Sequence, residues 1–400
     1  MPQANLPDLH NVRRLLIIRL SSIGDVVHAL PLSAALAEAY PHLELSWVVE
    51  EMSAEVVTGN PYLKEVIVVP RGRWRQGRLR SPHVWSEYLA FLAGLRQRRF
   101  EVTLDLQGYG KSALMALAAG APYRLGWWRL RDGAGLVSRA LPRRPESAHR
   151  VDWFLDVARA LGVEPKTVRF PLSIPDVARA QVAARLCAAG IAPQRPYAVL
   201  NPATGNEVRR WGAERYAELA AGLASRFGLP SVLIGSGKDR PICEEVITRA
   251  RQKMERASPL ASATNAEAPL EPVSLAGQTN LKELAALLEG CAVQVCGDTG
   301  SAHIAAALGR PTIGLYGPTD PAHAGPWGQS ENVLSHRALC HADCTVRQCA
   351  FVDAPPHSKR EGEDAGPEGK ALPEDTTARC LRAITPDEVL QRIERVLHDR

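Results

Sequence analysis

Between Val293 and Pro321 the chain spells out one complete unit of an α/β sheet, VQVCGDTGSAHIAAALGRPTIGLYGPTDP. Val293 to Cys296 is a short apolar run of strand type, and Gly297-Asp298-Thr299-Gly300 is a turn cluster. The small residues Ser301 to Leu308 then read as a helix, which Gly309 ends at the C′ position. Pro311 to Leu315 is a second strand, and YGPTDP places a tight turn at its C-terminal end, where α/β sheets bind their ligands. The first turn suits an anion. A helix N-terminus offers unpaired N–H groups and about half a positive charge. Gly300 lets the backbone come close to a pyrophosphate, while Asp298 and Thr299 add a sugar-hydroxyl acceptor and a hydroxyl donor. Taken singly, GDTG is also an ordinary helix cap and YGPTDP an ordinary turn; the pair, at two neighbouring strand ends, favours a ligand site.

The same alternation recurs along the chain. Arg13 to Arg19 is a buried-strand run followed by SSIGD and a helix from Val26 to about Tyr40, and further strands are expected at 44–49, 65–69 and 102–106. After a linker at Phe170 to Pro175 a second series begins: strands at 197–200, 230–234 and 272–275 with helices at 213–227, 240–251 and 281–289, leading into the unit described first. Four hundred residues exceed one ordinary core, so two similar α/β domains are expected, 1–172 and 173–385. ITPDEVLQRIERVL, capped near Thr385 with Pro386 at its first turn, makes 386–400 an amphipathic helix expected to pack across domains. The N-terminus lacks a secretory core and no apolar run reaches membrane-spanning length, which makes the cytoplasm the expected compartment. Residues 1–170 hold 23 Lys/Arg against 16 Asp/Glu, a surplus of seven in a chain of net +5, so the first half carries the positive charge. That asymmetry suits a phosphorylated partner or an anionic membrane, or simply a solvated basic surface.

The strand ends supply the candidate residues. Asp25 follows the first strand, as a helix cap or as a carboxylate facing a ligand, with Ser22 beside it. Arg71, Arg73, Arg75, Arg78 and Arg80, with Trp74 among them, form the densest basic cluster, expected as a loop whose guanidinium groups fork onto phosphates. No helix-turn-helix, zinc-finger or RNA-binding signature accompanies it, so nucleic acid is not the expected partner. LDLQGYGKSALMA offers Asp105, Gln107 and Lys111. In the second half, NPATGNEVRRWG presents Asn201, Thr204, Gly205, Arg209 and Arg210 to a phosphate, and GSGKDR presents Lys238 and Asp239 to a nucleoside. The chain has no G-x-G-x-x-G after an early strand, no G-x-x-x-x-G-K-[ST], no His-Glu-x-x-His and no G-x-S-x-G, which disfavours dehydrogenases, P-loop kinases, zinc proteases and serine hydrolases.

Of eight cysteines, those at 187, 243, 291 and 296 fall in or beside apolar segments and read as core thiols. Cys340, Cys344 and Cys349 form C-x3-C-x4-C, and Cys380 returns after a charged Pro- and Gly-rich stretch. Unligated thiols, a four-thiolate zinc site and disulfides all remain open for this group, although a reducing cytosol opposes disulfides and the spacing departs from C-x2-C pairs.

RLSSIGDVVHALPL, SWVVEE, GRWR, LDLQGYGKSAL, NPATG with RRWG, GDTGSAHIAAALGRPTIGLYGPTDP and CLRAITPDEV together resemble the ADP-heptose:lipopolysaccharide heptosyltransferases of glycosyltransferase family nine, the type I enzymes most closely. The resemblance spans nearly the whole chain. It implies an α/β fold of two facing Rossmann-like domains, the GT-B architecture. ADP-heptose would be bound by the C-terminal domain, and the lipid A–Kdo acceptor by the N-terminal one. It also implies an inverting transfer that needs no metal and no cofactor, at the cytoplasmic face of the inner membrane. Carried onto this sequence, Asp25 matches the general base, Asp298, Thr299, Gly300 and His303 match the donor signature, and Thr204 matches a donor-contacting hydroxyl. Arg209 stands where members often have a lysine, and Gly205 replaces what is often a second hydroxyl residue. Other nucleotide sugars, UDP- or GDP-linked, and a non-catalytic sugar-nucleotide-binding role are the alternatives.

Overall fold

The structure is a computed structural model that describes residues 6–76, 81–205, 209–257, 270–339 and 378–398. Its contacts divide the chain into two compact units, Met1–Asp176 and Val177–Arg400, four residues beyond the boundary expected from PLSIP. The first unit alternates β1 (Arg14–Ile18), α1 (Ile23–Ala39), β2 (Glu44–Glu50), α2 (Glu51–Val57), β3 (Glu65–Val69), α3 (Arg71–Gln76), α4 (Pro82–Gln97), β4 (Val102–Asp105), α5 (Gly110–Ala119), β5 (Tyr123–Gly126), β6 (Arg139–Ala140) and α6 (Arg150–Ala160). Its strands lie in the order β3-β2-β1-β4-β5-β6.

The second unit follows with α7 (Asp176–Ala188), β7 (Ala198–Asn201), α8 (Ala213–Phe227), β8 (Ser231–Leu233), α9 (Arg240–Ala257), β9 (Val273–Ser274), α10 (Leu281–Gly290), β10 (Val293–Cys296), α11 (Gly300–Ala307), β11 (Thr312–Tyr316), α12 (Pro321–Ala324), β12 (Val333–Ser335), α13 (Arg379–Arg382) and α14 (Pro386–His398). Its order is β12-β11-β10-β7-β8-β9, the same winding as the first sheet. All recorded strand pairs are parallel. Both sheets therefore reverse direction at one place, between β1 and β4 and between β7 and β10, and an open α/β sheet binds ligands beyond the strand ends at that crevice.

The central strands are buried on both faces because they are largely apolar, as in LLII of β1 and LSWVV of β2. One core gathers Leu16, Ile18, Val48, Phe100, Met115 and Ala116. The other gathers Leu200, Tyr216, Leu223, Val293, Val295, Ile313 and Leu315. Helix ends follow local chemistry: Gly120 and Gly228 close α5 and α8 in the left-handed region at φ 68° and 63°, and Asn280 opens α10 in a reciprocal cap with Glu283. The final helix buries Val389, Leu390 and Ile393 in the second core, against α8 and β11. Ahead of it, the indole Nε1 of Trp211 donates to the Ile384 carbonyl at 2.9 Å. The apolar face expected to reach across domains is thus packed inside the second unit.

Candidate active site

In the first unit the candidate residues collect at the reversal between β1 and β4. The helix after β1 begins at Ile23, three residues earlier than the sequence suggests, which places Asp25 in its first turn with Ser22 at the N-cap. Ser22 makes no cap bond; its Oγ donates to Asp25 Oδ2 at 3.2 Å. Two guanidinium groups hold the same carboxylate, Arg19 Nη2 at 2.6 Å from Oδ2 and Arg150 Nη1 at 2.8 Å from Oδ1. Arg19 is almost wholly buried, its Nη1 donating to the Leu106 carbonyl and its guanidinium lying over the Phe154 ring, and burial lowers its pKa despite the facing Asp25. Asp25 is thus an anion of fixed orientation, with its side chain 19 % exposed at the head of a helix.

Gln107, a candidate for touching a ligand, instead holds the loop that carries Asp25. Its side-chain oxygen accepts from the Leu20 and Ser21 N–H groups at 3.1 and 3.3 Å. Asp105 is a buried turn-former: its carboxylate accepts from the Gln107 and Gly108 N–H groups and from Ser112 Oγ, and burial raises its pKa against those donors.

The basic cluster is not the expected loop at its start: Arg71 to Gln76 form the short helix α3. Arg71 donates to both oxygens of Glu50 at 2.8 and 3.0 Å, and Lys111 reaches the same carboxylate at 2.8 Å. Glu50, at the end of β2, is buried; burial raises its pKa, but donation from Lys111 and Arg71 outweighs this and holds it below the usual carboxylate value. Two of the candidate cations are therefore fixed by an acid that the sequence did not single out. Arg73 is largely exposed, 3.9 Å from Glu87. The side chain of Arg75, and Arg78 and Arg80 entirely, lie outside the described residues.

The second unit builds its constellation at the reversal between β7 and β10. Thr299 is the N-cap of α11, whose first helical residue is Gly300, and it makes no side-chain cap bond to the helix. Its hydroxyl lies 3.0 Å from Ser301 Oγ, and Asn201 at the end of β7 donates to that Ser301 oxygen at 3.0 Å. Asp298 accepts from Arg209 Nη1 at 2.9 Å and faces the buried His303 Nε2 at 3.7 Å. Burial pushes the Asp298 pKa up, but donation from His303 and the charge of Arg209 prevail and leave it below the ordinary value. A depressed folded-state pKa stabilises above the unfolded value, near 4, and that contribution fades as pH falls through the folded one. Acid titration of Asp298→Asn is therefore expected to show a flatter loss of melting temperature below about pH 4 than the parent chain; parallel curves would remove Asp298 from that linkage.

Thr204 stands against Gly297, its methyl 3.1 Å from where a Cβ there would lie, and the neighbouring Gly205 is exposed with open space at its Cβ position. Asp239 is drawn into its own turn: Oδ2 accepts from the Ser236 N–H and hydroxyl at 2.8 and 2.6 Å, capping the single 3-10 turn Gly237–Asp239. Cys296 is wholly buried and its thiol is pushed up to about 12 by desolvation, so it is a core group. Cys380 is buried in the second core, and Cys340, Cys344 and Cys349 lie outside the described residues.

The sequence marked Asp25, the GDTG turn, Asn201 and Arg209. It missed Arg19, Arg150 and Glu50. Arg150 lies 125 positions from the carboxylate it binds, and nothing local in HRVDWF announces the pairing. The SWVVEE stretch did carry a signal, since Glu50 ends β2, which pairs with the β1 strand that leads into Asp25, and Asp105 ends β4 on the other side of β1.

Two doubly wound units of the same strand order, each with polar and charged groups at its reversal point, are the architecture of a GT-B glycosyltransferase. Residues 88–354 match the model of Glycosyltransferase family 9 (heptosyltransferase), and the chain belongs to that family. It is 29 % identical over 394 residues to lipopolysaccharide heptosyltransferase 1 of Pseudomonas aeruginosa, spanning 96 % of this chain and 98 % of that one. The corresponding Escherichia coli K12 enzyme is 31 % identical over 324 residues, 80 % of this chain and 92 % of that one. Among solved structures, E. coli heptosyltransferase WaaC with ADP superposes with a TM-score of 0.65 at 25 % identity, covering 96 % of this chain and 99 % of that one.

Proposed function

We propose that this glycosyltransferase moves heptose from ADP-heptose to the Kdo-bearing inner core of lipopolysaccharide, with inversion at the anomeric carbon. Support comes from relatives named lipopolysaccharide heptosyltransferase 1 and from a solved relative bound to ADP-2-deoxy-2-fluoro heptose. The observation that carries the reading is the Asp25 carboxylate, oriented by Arg19 and Arg150 at the head of α1.

An acceptor hydroxyl is a poor nucleophile at neutral pH, so a carboxylate within hydrogen-bond reach must take its proton as the oxygen attacks. Asp25 is that base. The new bond forms at the anomeric carbon on the side opposite the leaving group, and the bond to the β-phosphate oxygen breaks with its electron pair going to ADP. In the second unit the N–H groups opening α11 and the Arg209 guanidinium, aimed by Asp298, take up the charge that develops on the departing diphosphate. Donors preorganised in this way contribute roughly 3 kcal/mol each. His303, Thr204 and Gly205 complete the donor side, with Asp239 beside the nucleoside. On the acceptor side Ser22, Gln107, Arg71, Arg73, Arg75 and Lys111 serve the anionic sugar region, Gln107 by fixing the Asp25 loop and Lys111 through Glu50. No cofactor takes part, and the enzyme meets its acceptor from the cytoplasmic face of the inner membrane.

Incubation with ADP-heptose and deacylated Kdo-bearing lipid A, read by mass spectrometry, is expected to yield the acceptor plus one heptose and free ADP. Parallel incubations with UDP- and GDP-linked sugars should give no product; transfer from those alone overturns the donor assignment, and binding of ADP-heptose without release of ADP overturns the reaction.

A further inference from the structure

Helices α4 and α5 pack against each other, and four large apolar side chains stay exposed on their outer side. The inward side of α4 is Val84, Tyr88, Phe91, Leu92 and Leu95. Its outward side shows Trp85, 49 % exposed, and one turn further Leu89, 59 % exposed. On α5, Leu114 and Leu117 are exposed one turn apart. A surface helix ordinarily carries charge at such positions. Yet the 16 residues of α4 and 10 of α5 contain one carboxylate, Glu87, and that one is half-buried and accepts from the Trp74 indole at 3.3 Å. Cations stand at the ends of these helices instead. Arg96, exposed, lays its guanidinium over Gly120 at the end of α5, and Arg99 is exposed just past α4. Trp85 stands edge-on to Tyr88 at 6.1 Å, so its ring is held outward against a partly buried support.

We propose that this face docks on an anionic lipid bilayer, with Trp85, Leu89, Leu114 and Leu117 entering the boundary between headgroups and acyl chains while Arg96 and Arg99 meet lipid phosphates. Indole rings favour that boundary, and arginines beside an apolar face gain from the negative surface potential. The surplus of seven positive charges in residues 1–170 acts in the same direction. A second copy of the chain is the poorer occupant, because a two-fold contact through this face would set the same unbalanced arginines against one another. The inference deepens the proposed reaction, whose acceptor is anchored in a bilayer, but the docking step itself requires no substrate.

The test is co-sedimentation of the intact chain with phosphatidylethanolamine–phosphatidylglycerol vesicles and, separately, phosphatidylcholine vesicles, neither containing glycolipid. Wild type is expected to pellet with the first and to remain in solution with the second. Trp85→Ser/Leu89→Ser and Leu114→Ser/Leu117→Ser should each weaken vesicle binding about tenfold or more at unchanged melting temperature, while Trp85→Phe stays near wild type. Equal pelleting of the serine variants, or no pelleting of wild type with anionic vesicles, overturns the proposal. So does a dimer seen by light scattering that the Trp85→Ser/Leu89→Ser change abolishes, which would name a second copy as the occupant. Turnover of deacylated, soluble acceptor should not change in these variants; if even wild type fails to turn it over, the reaction assigned above falls while the vesicle result still decides the docking face.

Discussion

Asp25→Asn is expected to lower turnover by about two orders of magnitude or more while ADP binding and the KM for the donor stay within a few-fold. Asparagine is the informative replacement. Asp25 is the counter-charge of Arg19, which is 4 % exposed, and removing the side chain altogether would leave that guanidinium buried beside Arg150 with their common anion gone. Breaking a buried pair from one side costs about 3–5 kcal/mol, so an alanine variant would confound lost chemistry with lost stability. The amide keeps an oxygen for one of the two arginines but cannot take a proton from the acceptor. Single-turnover rates with saturating ADP-heptose, alongside the melting temperature and ADP affinity, separate the two effects. Near wild-type turnover in a folded Asp25→Asn enzyme removes Asp25 from the base role and leaves it as the tie between β1 and α6.

The largest stability effect is expected where α8 meets α14. Gly222 lies inside α8, and a Cβ placed on it would come within 2.5 Å of Leu390 Cδ1. In an open helix Gly→Ala would stabilise by roughly 1 kcal/mol. Here overpacking reverses the sign, and Gly222→Ala is expected to destabilise by about 1–3 kcal/mol. Leu390→Ala removes a buried side chain from the second core and should cost about 2–5 kcal/mol. The double variant should be less destabilised than the sum of the two, because the new methyl group occupies space that the leucine vacates. Denaturant unfolding of the four proteins measures this directly; additive effects would mean that the two helices do not share the contact.

Much of this architecture could be read from residue pattern because it is locally determined. Apolar runs such as Arg13 to Arg19, each ended by glycine or a small polar residue, announce parallel strands, and the GDTG turn declares its own helix through Gly300 and Gly309. What escaped was long-range. The Asp25–Arg150 pair, the Glu50 bridge to Arg71 and Lys111, and the two Gln107 contacts join distant positions, and no periodicity encodes which side chains will meet. The α3 helix escaped for another reason: arginine and glutamine form helices readily, but five arginines in ten residues read first as a solvated loop. The last helix was recognised as amphipathic, yet amphipathicity states only that one face must be covered and not by what.

That covering has a consequence for synthesis of the protein. The sheet begun by β7 is laid down early in the second unit, but Val389, Leu390 and Ile393 belong to the same hydrophobic interior and are translated long after it. The first unit can complete its six strands while the ribosome is still reading the rest. The second must wait, partly open, until its closing residues emerge, and that interval is when chaperones and proteases meet it.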